Sequence, residues 1–348
     1  MFSLARVPLY VTRLLPLVFC TAFLLATLAA PVYGQDQSLQ QCIEAFQMAD
    51  FESATELCSQ TAENEQAPRE ARVEALQYLG RIYAAKRMNE KAKDAIAKLL
   101  DLEPPPIEPD PDVEPIAYLK QYYQVRKEVC DCYTVEHDPG LQTMAIIDFL
   151  NSSIDQADRF EPLRMGIASM LINYLNGATG LKVVERERLN WLLEEIKLNQ
   201  SDLINPSARV RPGQLLGATT MLTGGFMVQG RNVTIWARLD KVETGEVLLA
   251  ESVEGSTRRI PDLLEKLSLR VASAINVALD ENEVGPRTET NSLDAMLSYA
   301  EGLELEQKGD FRGAFEKFQE ALEYDEHYTR AKLKAQSAGL MLAAAGEG

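Results

Sequence analysis

Between Met144 and Ala278 the hydrophobic and polar positions change period several times, and each change marks an element. Met144 to Leu150 is a mostly apolar run of strand length and predicts a strand. Glu161 to Leu175 carries Leu163, Ile167, Met170, Leu171 and Tyr174 at helical spacing, closed by Gly177, and predicts an amphipathic helix. A short strand is predicted over Leu181 to Val184, then a second helix over Arg186 to Leu198 with Leu189, Leu192, Leu193 and Ile196 turned inward. After a polar loop holding Pro206 and Pro212, three strands follow at about Ala218 to Val228, Val233 to Val242 and Val247 to Val253. Glu243-Thr244-Gly245-Glu246 joins the last two as a hairpin turn. Pro261 then starts a helix with Leu264, Leu267, Val271, Ala274 and Ala278 on one face. One sheet receiving helices, in two or three layers, accounts for this order. On Val233 to Asp240 the apolar set Val233, Ile235, Ala237 and Leu239 faces one way and Thr234, Trp236, Arg238 and Asp240 the other. Trp236 beside Arg238 on a polar face is a candidate partner contact. The competing reading is an aromatic buried beneath the flanking arms.

Outside this region the spacing is helical. Gly80, Tyr83, Ala92, Ile96, Leu99 and Pro104 resemble a tetratricopeptide repeat, in which small residues sit where two helices approach and proline stops the second. Gly302, Ala314, Phe318 and Ala321 reproduce the spacing, with Glu326 where proline would stand. A more degenerate copy is marked by Asp50-Phe51-Glu52-Ser53-Ala54, which echoes Asp310-Phe311-Arg312-Gly313-Ala314. In it Cys42 and Cys58 fall on opposite helices of the hairpin, which predicts a disulfide with Cα atoms within about 7 Å. A proline-rich turn, LEPPPIEPDPDVEP, leads to an amphipathic segment, Ile116 to Val129, whose Tyr118, Tyr122, Tyr123 and Val125 are expected in the core. The C-terminal copy has only the helix Thr329 to Ala345 behind it, so it must lean on another part of the chain or on a partner.

The first residues and the composition narrow the setting. Arg6 and Arg13 precede an apolar run from Leu14 to Ala30, with Val32 and Gly34 at cleavage spacing, which predicts a secretory signal peptide cut after Gly34. A retained anchor is the alternative; bulky Phe19 before Cys20 argues against lipidation. The formal net charge of −17 excludes nucleic acid and anionic lipid as partners, since neutralising phosphates needs clustered Lys and Arg. Four cysteines follow the leader, an even number that suits disulfides in an oxidising compartment, and the state of Cys130 and Cys132 stays open. No zinc site is expected, because Cys130-Asp131-Cys132 has a single-residue gap and His137 is the only nearby histidine.

MAIIDF followed by a helix, then VVERERLNWLLEEIKL, LLGATTMLTGGF and ARLDKVETGEVLLAESV, resembles the CsgG family, named for the curli-secretion channel of the outer membrane. The resemblance runs from about Gln142 to Leu279. It implies a soluble sheet-and-helix domain of the kind found in periplasmic accessory proteins, among them activators of cell-wall synthases and flagellar outer-membrane factors. In the channel, as the resemblance implies, each subunit inserts two β-hairpins, and each would need about 20 residues to cross the bilayer. Here Gln229, Gly230, Arg231 and Asn232 alone join Val228 to Val233, and VEGSTRRI must lead from Val253 directly into a helix. No membrane-spanning barrel is therefore expected, while self-association remains open. In NSSIDQADRFEP, Phe160 could stand where the family has a constriction phenylalanine, and it is a third candidate contact; an aromatic capping the helix start is the competing reading.

The fold class expected is a mixed, multi-domain α+β or α/β chain, a CsgG-like domain flanked by helical hairpins. Its parts are a leader at 1–34, N-terminal helices at 35–132, the CsgG-like domain at 141–280, a linker at 281–292 and C-terminal helices at 293–348. An enzyme finds little support. His137 and His327 are the only histidines, and no Gly-x-Ser-x-Gly elbow, Walker loop or His-Glu-x-x-His occurs. Gly224-Gly225 is expected to serve close backbone packing. Glu185-Arg186-Glu187-Arg188 reads as a solvated charged face. Neither cofactor nor metal is expected. The reading is a non-catalytic periplasmic adaptor with protein partners in the cell envelope, its outer-membrane association open. The alternatives are a subunit of a curli-type secretion complex and an unrecognised envelope enzyme.

Overall fold

The computed structural model describes residues 37–102, 108–111, 113–130, 140–176, 178–196, 212–279 and 290–346. The leader, Pro104, Cys132, His137, Gly177, Pro206 and most of the linker lie outside the described residues, as does the side chain of Cys130.

Five helices come first: α1 (Gln37–Gln47), α2 (Phe51–Glu63), α3 (Arg69–Ala85), α4 (Asn89–Leu100) and α5 (Ile116–Cys130). Short polar turns join α1 to α2 and α3 to α4, so consecutive helices pack as hairpins around small residues. A Cβ on Gly80 would fall 2.6 Å from the ring of Tyr118, which shows how closely α3 and α5 approach. Tyr118, Tyr122 and Tyr123 are buried between α5 and its neighbours, as their spacing predicted. Cys42 of α1 and Cys58 of α2 form a disulfide, with Cα atoms 5.3 Å apart and both residues sealed from solvent. Replacing both cysteines by alanine is expected to cost about 2–3 kcal/mol, since the bridge closes a short loop. Urea unfolding of oxidised parent and variant measures this, and equal midpoints would show that the bridge adds nothing.

The central sheet follows. Its strands are β1 (Gln142–Ile146), β2 (Leu150–Asn151), β3 (Leu181–Val183), β4 (Thr220–Gln229), β5 (Asn232–Lys241) and β6 (Val247–Ser256), in the order β3-β1-β4-β5-β6. β1 runs parallel to β3 and β4, and β4, β5 and β6 form an antiparallel meander. The apolar run expected as one strand to Leu150 is interrupted after Ile146, and β2 resumes beside β4 at Gly225 and Phe226. Between strands lie α6 (Ala157–Phe160), α7 (Leu163–Asn176) and α8 (Arg186–Glu195), and after β6 comes α9 (Ile260–Ala274). α7 and α9 cover one face, where Ile146, Leu222, Phe226, Ile235, Leu264 and Val271 meet. α8 and the helical turn at 212–216 cover part of the other, against Ala145, Ile147, Met221 and Val242. β1 is buried on both faces from Thr143 to Ile146, which is why Met144, Ala145 and Ile146 follow one another without a polar residue between them.

Three helices close the chain: α10 (Leu293–Lys308), α11 (Phe311–Tyr324) and α12 (Thr329–Ala345). The two echoing sequences do the same local work. Asp50 caps α2 by accepting from Ser53 N at 3.1 Å, and Asp310 caps α11 by accepting from Gly313 N at 2.9 Å. α10 packs on α7, with Gly166 against Ala300 and Met296. Met341 and Ala344 of α12 pack with Phe46, Phe51 and Ile82 of the N-terminal helices. The C-terminal helices thus find the support that their own apolar faces lack, from the sheet domain and from the other end of the chain. Residues 35–348 form one compact unit, so the expected regions differ in element type rather than in packing.

Candidate protein-interaction site

On β5 the alternation predicted from sequence holds from Val233 to Leu239, while Asp240 is buried rather than exposed. Val233, Ile235, Ala237 and Leu239 are buried under α7 and α9, while Thr234, Trp236 and Arg238 are half-buried on the opposite face. Ala250, Ser252 and Glu254 of β6 extend that face and are exposed. The helices α7 and α9 pack on the other face of these strands. Trp236 stands at the centre of the face away from them. Its cross-strand neighbours are Gly225 and Ser252, and its indole lies so close over Gly225 that a Cβ there would collide with the ring. The absence of a side chain at Gly225 lets the partly exposed indole approach the sheet closely, an arrangement suited to a rigid apolar contact. Arg238 donates from Nε to Asp240 Oδ1 at 2.8 Å, with Asp240 buried, so its guanidinium is held along the strand.

Phe160 is a correction. It is 4% exposed and packs into the core beneath the sheet, with Arg159 over its ring, so it is not a contact surface. The burial is that of an aromatic filling the space at the start of α7.

The run Glu185 to Arg188 is a second correction. It is no solvated face: Arg186 and Arg188 are 3% and 2% exposed. Arg186 pairs with Glu187 at 2.7 Å, and Arg188 Nη1 donates to Glu108 Oε1 at 2.9 Å. Glu108 also accepts from Arg126 of α5 and lies 3.9 Å from Lys182 of β3. One carboxylate on the connecting segment therefore gathers cations from α5, β3 and α8. These residues border a polar cavity of about 540 Å³ whose far wall carries Tyr299, Arg330 and Lys334 of the C-terminal helices. Burial alone would raise the Glu108 carboxyl, but Arg188, Arg126 and Lys182 outweigh it and hold it below the usual carboxylate range. Nothing in the sequence singled out Glu108 within its proline-rich turn. The signal was indirect: two arginines on the α8 stretch fall among apolar positions that must face inward.

Lys334 and Glu306 were also missed. They form an ion pair at 3.0 Å with side chains 1% and 2% exposed, and beside them Arg330 donates to the Ser169 hydroxyl at 2.6 Å. Lys334 occurs on the same stripe as Ala331, Ala335 and Ala338, where a cation inside the core is readable in hindsight. A third surface is a mostly apolar groove of about 1000 Å³ where Phe46 and Tyr78 face Phe315, Leu322 and Leu340. No cluster of three His, Cys, Asp or Glu that could hold a metal ion occurs among the described residues. His327 is exposed beside Glu326.

The two junctions that bear on a membrane hairpin are short. Gln229 pairs with Asn232, leaving Gly230 and Arg231 as a two-residue loop, with Gly230 at φ +61° as a type II′ hairpin turn asks of its first central residue. β6 runs to Ser256 and passes through the turn Thr257–Arg259 into α9. No helix among the described residues is long and apolar enough to cross a membrane.

Residues 142–234 match the family model of the curli production assembly/transport component CsgG. The matched region spans β1 to the first residues of β5. No curated protein matches the chain. Among solved structures, the C-terminal domain of LpoB from Salmonella enterica is similar at 13% identity and a TM-score of 0.28, over 39% of this chain and 94% of that one. Lipoprotein GNA1162 from Neisseria meningitidis is similar at 20% identity and a TM-score of 0.28, over 38% of this chain and 96% of that one. TolB from Acinetobacter baumannii is similar at 15% identity and a TM-score of 0.28, over 39% of this chain and 28% of the TolB chain.

Proposed function

We propose that the protein is a non-catalytic adaptor of the cell envelope, exported to the periplasm, whose sheet domain docks a partner protein through the face around Trp236. The observation that carries this reading is the partly exposed indole of Trp236, seated close over Gly225 and flanked by the exposed Ala250, Ser252 and Glu254 of β6. Large aromatic groups of this kind dominate binding energy when a partner seals them from water. The CsgG match supports an envelope setting, and the disulfide suits an oxidising compartment. The helical hairpins, read as tetratricopeptide-like units, serve as the frame that holds the domain and offer further contact surface.

The alternative of a channel subunit requires membrane hairpins, and the loop of Gly230 and Arg231 is far shorter than the roughly 20 residues that a spanning hairpin needs. Extraction without detergent separates the readings: the adaptor leaves the membrane with salt and alkaline washing, and a barrel stays. Trp236→Ala is expected to abolish partner pull-down while lowering stability by no more than about 1–2 kcal/mol, because the ring is only partly buried in the free chain. A large fall in melting temperature with pull-down unchanged would make Trp236 a packing residue instead.

A further inference from the structure

We propose that Glu185 and Glu108 form a proton-operated clasp between the N-terminal helices and the sheet domain, firm when Glu185 is protonated and loose when it is charged. The clasp sits where the segment 108–111, α5, β3 and α8 converge. Glu108 is its hook: it binds Arg126 of α5 and Arg188 of α8, with Lys182 of β3 at 3.9 Å. These contacts tie the helical arm to the sheet domain, and the rings of Tyr123 and Trp191 meet beside them at 6.2 Å.

Glu185 stands at the start of α8 on the same cavity wall, and its Oε2 is sealed from solvent with no hydrogen-bond partner. Each element around it brings charge. Lys182 lies on β3, Glu108 and Asp110 on the connecting segment, and Arg186, Glu187 and Arg188 on α8 itself. Tyr123 and Arg126 belong to α5, Tyr299, Arg330 and Lys334 stand across the cavity, and Asp148 lies next to Arg186. When Glu185 carries charge it repels Glu108 and competes with it for Arg188 and Lys182. When it is neutral, Glu108 keeps all three cations.

The pH window follows from the two carboxyls. Burial, and then the Glu108 carboxylate, raise Glu185 from 4.5 to about 7. A raised carboxyl stabilises the docked arm fully below its ordinary value and loses that contribution as pH rises through about 7. Glu108 is held below its ordinary 4.5, so its contribution is present above that value and fades as pH falls through the lower one. The clasp is firmest near pH 4.5, where both contributions are close to full, and slackens as pH rises until the Glu185 contribution is gone above about 7.

Trp191 reports the junction directly. Fluorescence of the full chain is read from pH 6 to 8, with Trp191→Phe identifying its share of the emission. The expected result is a shift to longer wavelength and stronger acrylamide quenching with a midpoint near 7, absent in Glu185→Gln, which stays in the short-wavelength state. Glu108→Gln is expected to show the long-wavelength state throughout. A parent protein whose Trp191 emission and quenching are flat across this range overturns the proposal without recourse to any variant at the clasp. So does a folded Glu185→Gln that keeps the parent midpoint.

Discussion

Glu306→Ala is expected to cost about 3–5 kcal/mol of folding stability, because it strands the Lys334 ammonium in the interior with no counter-charge. Both side chains are almost fully buried, so the ammonium has little bulk water to compensate for a lost counter-charge. Urea unfolding gives the loss. The double variant Glu306→Leu, Lys334→Met removes both charges together and is expected to recover most of it, since a buried ion pair replaced by apolar groups of similar size is often neutral or better. A double variant as unstable as the single one would mean that the shape of this junction, rather than the pair, holds α12 to α10. The consequence reaches beyond these helices. α12 carries Met341 and Ala344, which brace the N-terminal helices, so a loosened α12 exposes Phe46 and Phe51 as well.

Gly224→Ala is expected to cost about 3 kcal/mol or more and to spoil the Trp236 surface with it. A Cβ at Gly224 would strike the Phe149 ring and the main-chain oxygen of Trp236. The ring could turn, but the oxygen belongs to the β4–β5 ladder, and moving it breaks the register that sets the indole over Gly225. Gly255→Ala is the control: its Cβ would meet only the end of the Leu263 side chain at 3.2 Å, and a loss under about 1 kcal/mol is expected because that side chain can adjust. Thermal unfolding of the two variants measures the difference, and equal losses would contradict the tight ladder described for Gly224.

The alternating strands, the helix after Pro261 and the helices at both ends were legible because their burial is one-sided, so the sequence repeats at the period of the element. Gly224-Gly225 was read correctly as close packing for the same reason: two glycines within a strand have no local use unless something lies over them. The interruption after Ile146 was not read from the sequence, although Asp148 breaks the apolar run between β1 and β2. The charged run at Glu185 was misread because its partners, Glu108 and Tyr123, are distant in sequence and adjacent only after folding. Lys334 and Glu306 escaped notice for the same reason, each being an ordinary charged residue until the other is placed beside it. The side of β5 that carries Trp236 was legible from alternation alone, but its close seating depends on its pairing with Gly225, which the four-residue junction implied and the register shows.

Photo-crosslinking in living cells from Ser252, the exposed cross-strand neighbour of Trp236, tests the adaptor account most directly. The account predicts one dominant adduct with an envelope protein, formed by the parent chain and lost in a folded Trp236→Ala chain. No adduct from Ser252, or the same adduct in both chains, would contradict it.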